Sequence, residues 1–187
     1  MVKKTISKNP GALILILAVI PLLPAYAGNY IDADFGIVYS DISSSETTAA
    51  DGKLDGGDTG IHLGVGAYRN KDDSRWVYGV KLELDDVAGN LLLSVRALDL
   101  GYKITPRFMV NGFIGAARWD LATAAFGIRF GVGANYRFGE HWALGSDISY
   151  SDSVARDKLL PGDDGGMGSP DIFFDIAQIS LYVKYIF

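Results

Sequence analysis

The stretch Ile179-Ser180-Leu181-Tyr182-Val183-Lys184-Tyr185-Ile186-Phe187 puts an apolar or aromatic residue at every odd position, while Ser180 and Lys184 fall at even ones. Side chains of a β-strand point alternately to two faces, so this segment presents one continuous apolar face and one mixed face. A strand with hydrocarbon on one side and a confined polar space on the other has this pattern. Phe187 then sits at a membrane-water interface, where aromatic rings collect.

The other end of the chain carries a positive head, Lys3, Lys4 and Lys8, followed by an almost wholly apolar run from Gly11 to Leu23. Ala25 and Ala27 supply small residues where a signal peptidase reads, so the expected cut leaves Gly28 as the first mature residue. Residues 1–27 therefore read as a secretory signal peptide. An apolar run interrupted by Pro21 is shorter than the roughly 20 residues a membrane-spanning helix needs. No Cys follows the cut, which excludes a lipid-modified N-terminus. Residues 28–187 then form a single domain, and the formal charge of −5 becomes −8 once the three leader lysines are gone. With no Cys in the chain there is no disulfide, thiol nucleophile or thiolate metal site. An acidic chain without basic clusters also excludes nucleic acid as a partner.

Nothing after Ala27 has a long helical period, so a membrane crossing must be made by strands, and only a closed barrel satisfies their backbone groups in lipid. Alternation and turn residues predict eight strands, at 29–40, 60–69, 75–85, 91–104, 108–119, 124–138, 142–152 and 173–187. The expected fold is all-β: an eight-stranded antiparallel up-and-down transmembrane barrel. In the third strand Trp76, Tyr78, Val80, Leu82 and Leu84 share one face, with Val77, Gly79, Lys81, Glu83 and Asp85 on the other. In the sixth, Phe126 to Phe138 at even positions oppose Gly127, Arg129, Gly131, Gly133, Asn135 and Arg137. The fifth strand is ambiguous, since either Val110 and Ile114 or Phe113 and Trp119 could face lipid. Val132 is expected at the membrane midplane, and an inward glycine such as Gly133 should accept a serine unless the lumen is already full.

Connections support the same topology. Asn70–Ser74, Thr105–Arg107 and Gly139–His141 are short, whereas 41–59 and 153–172 are each about twenty residues long. Outer-membrane barrels keep short turns in the periplasm and longer loops outside. This orientation places both termini in the periplasm of a diderm bacterium. Trp76, Tyr102, Tyr136, Trp142 and Phe187 would form the periplasmic aromatic girdle, together with Tyr30; Tyr39, Trp119, Tyr150 and Phe173 would mark the outer rim.

A family resemblance is carried by Gly101-Tyr102-Lys103-Ile104-Thr105-Pro106-Arg107-Phe108 and the following Gly112-Phe113-Ile114-Gly115-Ala116-Ala117-Arg118-Trp119. This hairpin resembles the central one of small outer-membrane barrels of the OmpA-like transmembrane-domain type, OmpA-like and OmpX-like. The resemblance implies a non-catalytic barrel with a structural or surface-interaction, adhesion-like role through loops 41–59 and 153–172. It implies outer-membrane lipids and lipopolysaccharide as surroundings. It further implies the barrel-assembly machinery and periplasmic chaperones as partners, which read Ile179, Leu181, Val183, Tyr185 and Phe187. An extracellular ligand is left unspecified. The expected chain ends with the barrel, without the peptidoglycan-binding module of full-length OmpA-like proteins.

Eight strands enclose an interior that side chains largely fill. Inward charges of both signs, among them Lys81, Glu83, Arg129 and Asp147, should interlock as a plug, with Arg129 and Asp147 as the direct pair between neighbouring strands six and seven. A narrow gated channel is the alternative, and a lipid A-modifying enzyme a remoter one. Only His62 and His141 are available for catalysis, and neither has a serine two residues away, as lipid A deacylases do. No catalytic residue, cofactor or metal site is therefore expected. Asp51 to Asp58 and Asp163 to Gly166 are acidic and glycine-rich, but they do not match the spacing of a calcium-binding loop. Loop 41–59 carries a net −4 and loop 153–172 a net −2.

Because the terminal strand has the form the assembly machinery reads, Phe187→Asp should leave the mature chain in the periplasm or degraded. Fractionation of cells and a heat-modifiability gel check this, and wild-type yield in the outer membrane contradicts it.

Overall fold

The computed structural model of the chain describes residues 28–44, 56–70, 74–120, 124–156 and 173–187. The leader 1–27, with Ala25 and Ala27, lies outside the described residues, as do 45–55 and 157–172 of the two long connections. Eight strands follow in order: β1 (Asn29–Ser44), β2 (Gly56–Asn70), β3 (Trp76–Val87), β4 (Asn90–Lys103), β5 (Phe108–Asp120), β6 (Ala124–Arg137), β7 (Trp142–Arg156) and β8 (Phe173–Ile186). Each pairs antiparallel with its sequence neighbours, and β1 closes on β8 from Asp32↔Ile186 to Ser44↔Phe174. The transmembrane barrel therefore has no free edge, and the backbone donors and acceptors of its walls are paired without water.

Three strands run past their expected ends. β1 continues through Asp41–Ser44, β2 begins at Gly56 and β7 reaches Arg156. Roughly 9–11 residues cross the hydrocarbon. The extra residues extend the wall beyond it, where outward positions such as Asp41, Asp58 and Asp152 need not be apolar. Alternation stops there while the ladder continues.

Turns differ at the two ends. Between β3 and β4, Ala88 and Gly89 have φ of 52° and 73°. Two consecutive positive φ values match a type I′ hairpin, whose twist suits antiparallel strands. At the opposite end the β4–β5 turn is held by Thr105, whose Oγ1 accepts hydrogen bonds from the backbone N–H groups of Arg107 (3.3 Å) and Phe108 (3.0 Å). Gly28, just before β1, accepts from the N–H of Asn70 at 2.7 Å. We call these the loop end and the turn end.

The wall is apolar outside and charged inside, the reverse of a protein folded around an oily core. Phe35 is 62% exposed and Val132 61%, whereas Glu83, Asp85 and His62 are fully buried. In β5 the odd residues turn inward, so Phe113 and Trp119 are buried and Ile114 faces out. Trp119 is thus no rim residue. It packs edge-on against Phe174 at 5.3 Å, inside an apolar cluster with Ile42, Val87, Leu92, Val154 and Ile176 that fills the lumen near the loop end. Tyr30 also turns inward, where it stacks on Tyr68 at 5.3 Å, because β1 alternates in phase with buried Asp32 and Asp34. The remaining turn-end aromatics pack on the outer wall: Trp76 on Tyr102 at 4.9 Å, and Tyr185 on Trp142 (4.9 Å) and Phe187 (5.0 Å). Tyr136 is exposed on the same face.

Two irregularities shift the side-chain phase. In β4 the register moves from Arg96 to Leu98 against β5, which makes Ala97 the extra residue of a bulge. Leu92, Ser94 and Arg96 face inward before it, Asp99 and Gly101 after it. A second shift between Ser151 and Val154 in β7 returns Val154 to the interior.

Val132→Arg should cost about 2–4 kcal/mol in a urea folding titration in lipid vesicles, the value for a charge at the midplane of such a wall. Val132→Leu should leave the midpoint unchanged.

Candidate functional site: a charged network across the lumen

Below the apolar cluster, every strand contributes to one polar network. Six buried carboxylates, Asp32, Asp34, Glu83, Asp85, Asp99 and Asp147, face Lys81, Arg96, Arg129, Lys184 and His62. Charges removed from water need partners on several sides, and the geometry supplies them.

Arg96 is the hub. Its guanidinium donates to Glu83 on β3 and to Asp147 on β7, and to Asp99 at 3.2 Å on its own strand. It also lies 3.5 Å above the centroid of the Phe113 ring. The Ala97 bulge makes this possible, because residues three apart on a regular strand point to opposite faces. Asp99 also accepts from the Tyr68 hydroxyl (3.2 Å) and the Asn111 amide (3.0 Å).

Arg129 on β6 reaches across the lumen, donating to Gln178 and, at 3.2 Å, to Asp85. Its Nε lies 3.6 Å from Glu83. Lys81 sits between Asp34 (2.8 Å) and Glu83 (3.1 Å), with its ammonium 4.6 Å from the Tyr182 ring centroid. His62 is clamped between Asp85, 2.5 Å from Nδ1, and Asp34, 3.2 Å from Nε2. Towards the turn end, Lys184 pairs with Asp32 at 2.8 Å.

Lys81, Glu83, Arg129 and Asp147 all lie in this network, but Arg129 and Asp147 are not the pair. The register places Arg129 opposite Ser151 and Asp147 opposite Gly133, four residues along the same ladder. Arg129 instead turns to β3, and Asp147 to Arg96. The sequence reading missed Arg96 because alternation counted back from Asp99 puts it in lipid, and the bulge reverses that phase. The only sequence signal was the otherwise unpaired charge of Arg96 inside an apolar strand.

Glycines make room for the network. A Cβ on Gly64 would stand 2.1 Å from Asp34 Oδ1, and one on Gly133 1.9 Å from Asp147 Oδ1. The lumen is full at this level, and a serine at Gly133 would have to displace the Asp147 carboxylate. His141 lies outside the network. Its Nδ1 is 2.8 Å from the Ile186 carbonyl and its ring stacks on Tyr185 at 5.6 Å.

Arg96→Met leaves Asp147 without a cation among the described residues and Glu83 with Lys81 and Arg129 only, and should lower stability by about 3–5 kcal/mol. Adding Asp147→Asn should recover part of the loss. In urea titrations the Arg96/Asp147 double-mutant cycle should show coupling well above about 0.5 kcal/mol, and the Arg129/Asp147 cycle a smaller value.

No protein-family model matches the sequence, and no curated protein matches it. The fold is shared with solved barrels. Neisserial surface protein A matches with a TM-score of 0.52 at 14% identity, covering 85% of this chain and 97% of that one. Ail, the attachment invasion locus protein of Yersinia pestis, matches with a TM-score of 0.51 at 13% identity over 85% of this chain and 99% of that one, in a complex with the heparin analogue sucrose octasulfate. The outer membrane protein OprG from Pseudomonas aeruginosa matches with a TM-score of 0.51 at 16% identity, over 86% and 96% of the two chains. Such identities speak for the fold alone, and by that fold the chain is similar to the small eight-stranded outer-membrane β-barrels of the OmpA-like and OmpX-like type.

Proposed function

We propose that the protein is a non-catalytic outer-membrane barrel of a diderm bacterium that acts through its long connections at the cell surface. The observation that carries this reading is the filled lumen, with the Arg96 network in the middle and the Trp119 cluster towards the loop end. A wide diffusion path has no room there, so the barrel serves as a membrane anchor. His62 is enclosed by carboxylates and His141 is engaged by the wall, which supports a role without acid-base catalysis.

In this reading the turn end and both termini face the periplasm, and the long connections face the medium. The outward Ile179, Leu181, Val183 and Phe187 suit recognition by the barrel-assembly machinery and its chaperones. The connections carry net charges of −4 and −2. They would repel a polyanion such as the sulfated sugar bound to Ail, and lipopolysaccharide phosphates would require bridging divalent cations. A cationic or cation-bridged partner fits better.

The test compares a deletion strain with strains restored by the wild type or by a variant whose segments 45–55 and 157–172 are replaced with short Gly/Ser linkers. Adhesion and envelope sensitivity should change on deletion and recover only with the wild type. Planar-bilayer recordings should lack a steady wide-pore conductance, and lipid A masses should be the same in all strains. Full rescue by the shortened variant overturns the surface reading. Steady conductance points to a channel, and altered lipid A to an enzyme.

A further inference from the structure

Inside the lumen every buried cation has a carboxylate within ion-pair distance. The turn-end mouth breaks that rule. There the barrel opens into a cavity of about 270 Å³ whose charged lining is Lys103, Arg107, Arg137 and Lys184 against Asp32 alone. Asp32 is already taken by Lys184 at 2.8 Å. Among the described residues, Lys103, Arg107 and Arg137 have no carboxylate partner, in a protein whose formal charge is −5.

The three cations are brought together by the wall. The N–H of Arg137 donates to the Arg107 carbonyl at 2.8 Å, which ties the end of β6 to the β4–β5 turn. Lys103, the last residue of β4, faces inward because the Ala97 bulge reset the phase of the strand. With the Asn70 amide turned so that its nitrogen donates to the carbonyls of Ser74 and Trp76, both at 3.2 Å, its oxygen accepts from the Lys103 ammonium at 2.5 Å. Lys103 is thus positioned, and Lys103 and Arg137 lie within reach of each other's charge. Like charges gathered in a concave space await a counter-ion from outside.

We propose that this mouth is a binding site for a phosphate group, held by Lys103, Arg107 and Arg137. Phosphate brings up to two negative charges and three acceptor oxygens, which match a lysine and two guanidinium forks. At about 270 Å³ the cavity has room for a phosphate with a substituent. Two sources carry this chemistry: a soluble phosphate compound, or the headgroup of a lipid in the leaflet at the turn end. The site is at the opposite end from the long connections and does not depend on the surface reading.

The test uses the folded barrel in a maltoside detergent, which brings no phosphate of its own. Pyrophosphate titrated into isotope-labelled protein should produce saturable NMR shifts of the amides of Asn70, Lys103, Arg107 and Arg137. Lys103→Gln and Arg137→Gln, confirmed as folded by heat-modifiability, should each weaken binding by about tenfold, the worth of one charge-assisted contact. Arg118→Gln, at the loop end and paired with Asp120, should bind as the wild type does. In a second arm, nanodiscs of phosphatidylglycerol reproduce the same shifts without pyrophosphate if a lipid is the source, and do not if the ligand is soluble. Absence of saturable mouth shifts in both arms overturns the proposal, as does a Lys103→Gln/Arg137→Gln double variant that binds like the wild type.

Discussion

A guanidinium taken out of water into a barrel only eight strands wide is stable only if anions meet it from more than one wall, and Arg96 is placed where they do. Glu83 on β3 and Asp147 on β7 approach it from two sides, Asp99 from its own strand, and the Phe113 ring covers its face. Remove that cation and Asp147 is left buried with no cation among the described residues, while Glu83 keeps only Lys81 and Arg129. The neighbouring ions depend on the same balance. Glu83, shared by Arg96, Lys81 and Arg129, is neutralised from three directions, and this frees Asp85 to hold His62 and Asp34 to hold Lys81. The arrangement links strands that are not neighbours in the sheet, so the barrel is braced across its axis as well as around its wall.

The bracing explains other features of the chain. Small residues are required where the ions cross, which is why Gly64 and Gly133 line the wall beside Asp34 and Asp147. Long polar side chains fill the middle of the lumen, and apolar ones the region near the loop end, where Trp119 and Phe174 meet. Those apolar residues belong to the lengths of β1, β3, β4, β5, β7 and β8 nearest the connections. Outside, the demand is reversed. Hydrocarbon accepts Phe35, Ile37 and Val132, and aromatic pairs such as Trp76 with Tyr102 mark the level where lipid gives way to water.

The two ends of the barrel differ in chemistry. One carries long acidic connections and the other a small basic cavity, with paired charges between them. In the proposed reading, a barrel whose interior is occupied in this way acts on its surroundings from its ends and its outer wall. Among the described residues, Lys103, Arg107 and Arg137 at the turn end are set apart from the cations inside by their lack of carboxylate partners, although Lys103 and Arg137 stand on the strands that carry Arg96 and Arg129.

Much of this was legible in the sequence because a membrane wall imposes a strict period of two, and β3 and β8 keep it without interruption. The strand number, closure and facing of Lys81, Glu83, Arg129 and Asp147 follow from that period together with the turn signals. Strand ends beyond the hydrocarbon were illegible, since outward residues there carry no apolar requirement. The sequence by itself determined a closed eight-stranded barrel with charges inside, because lipid penalises every other arrangement of those residues. Only the tertiary structure decided which charges meet. The bulge at Ala97 turned Arg96 inward, the register set Asp147 four residues away from Arg129, and distance across a narrow lumen depends on stagger between strands, which no single strand encodes.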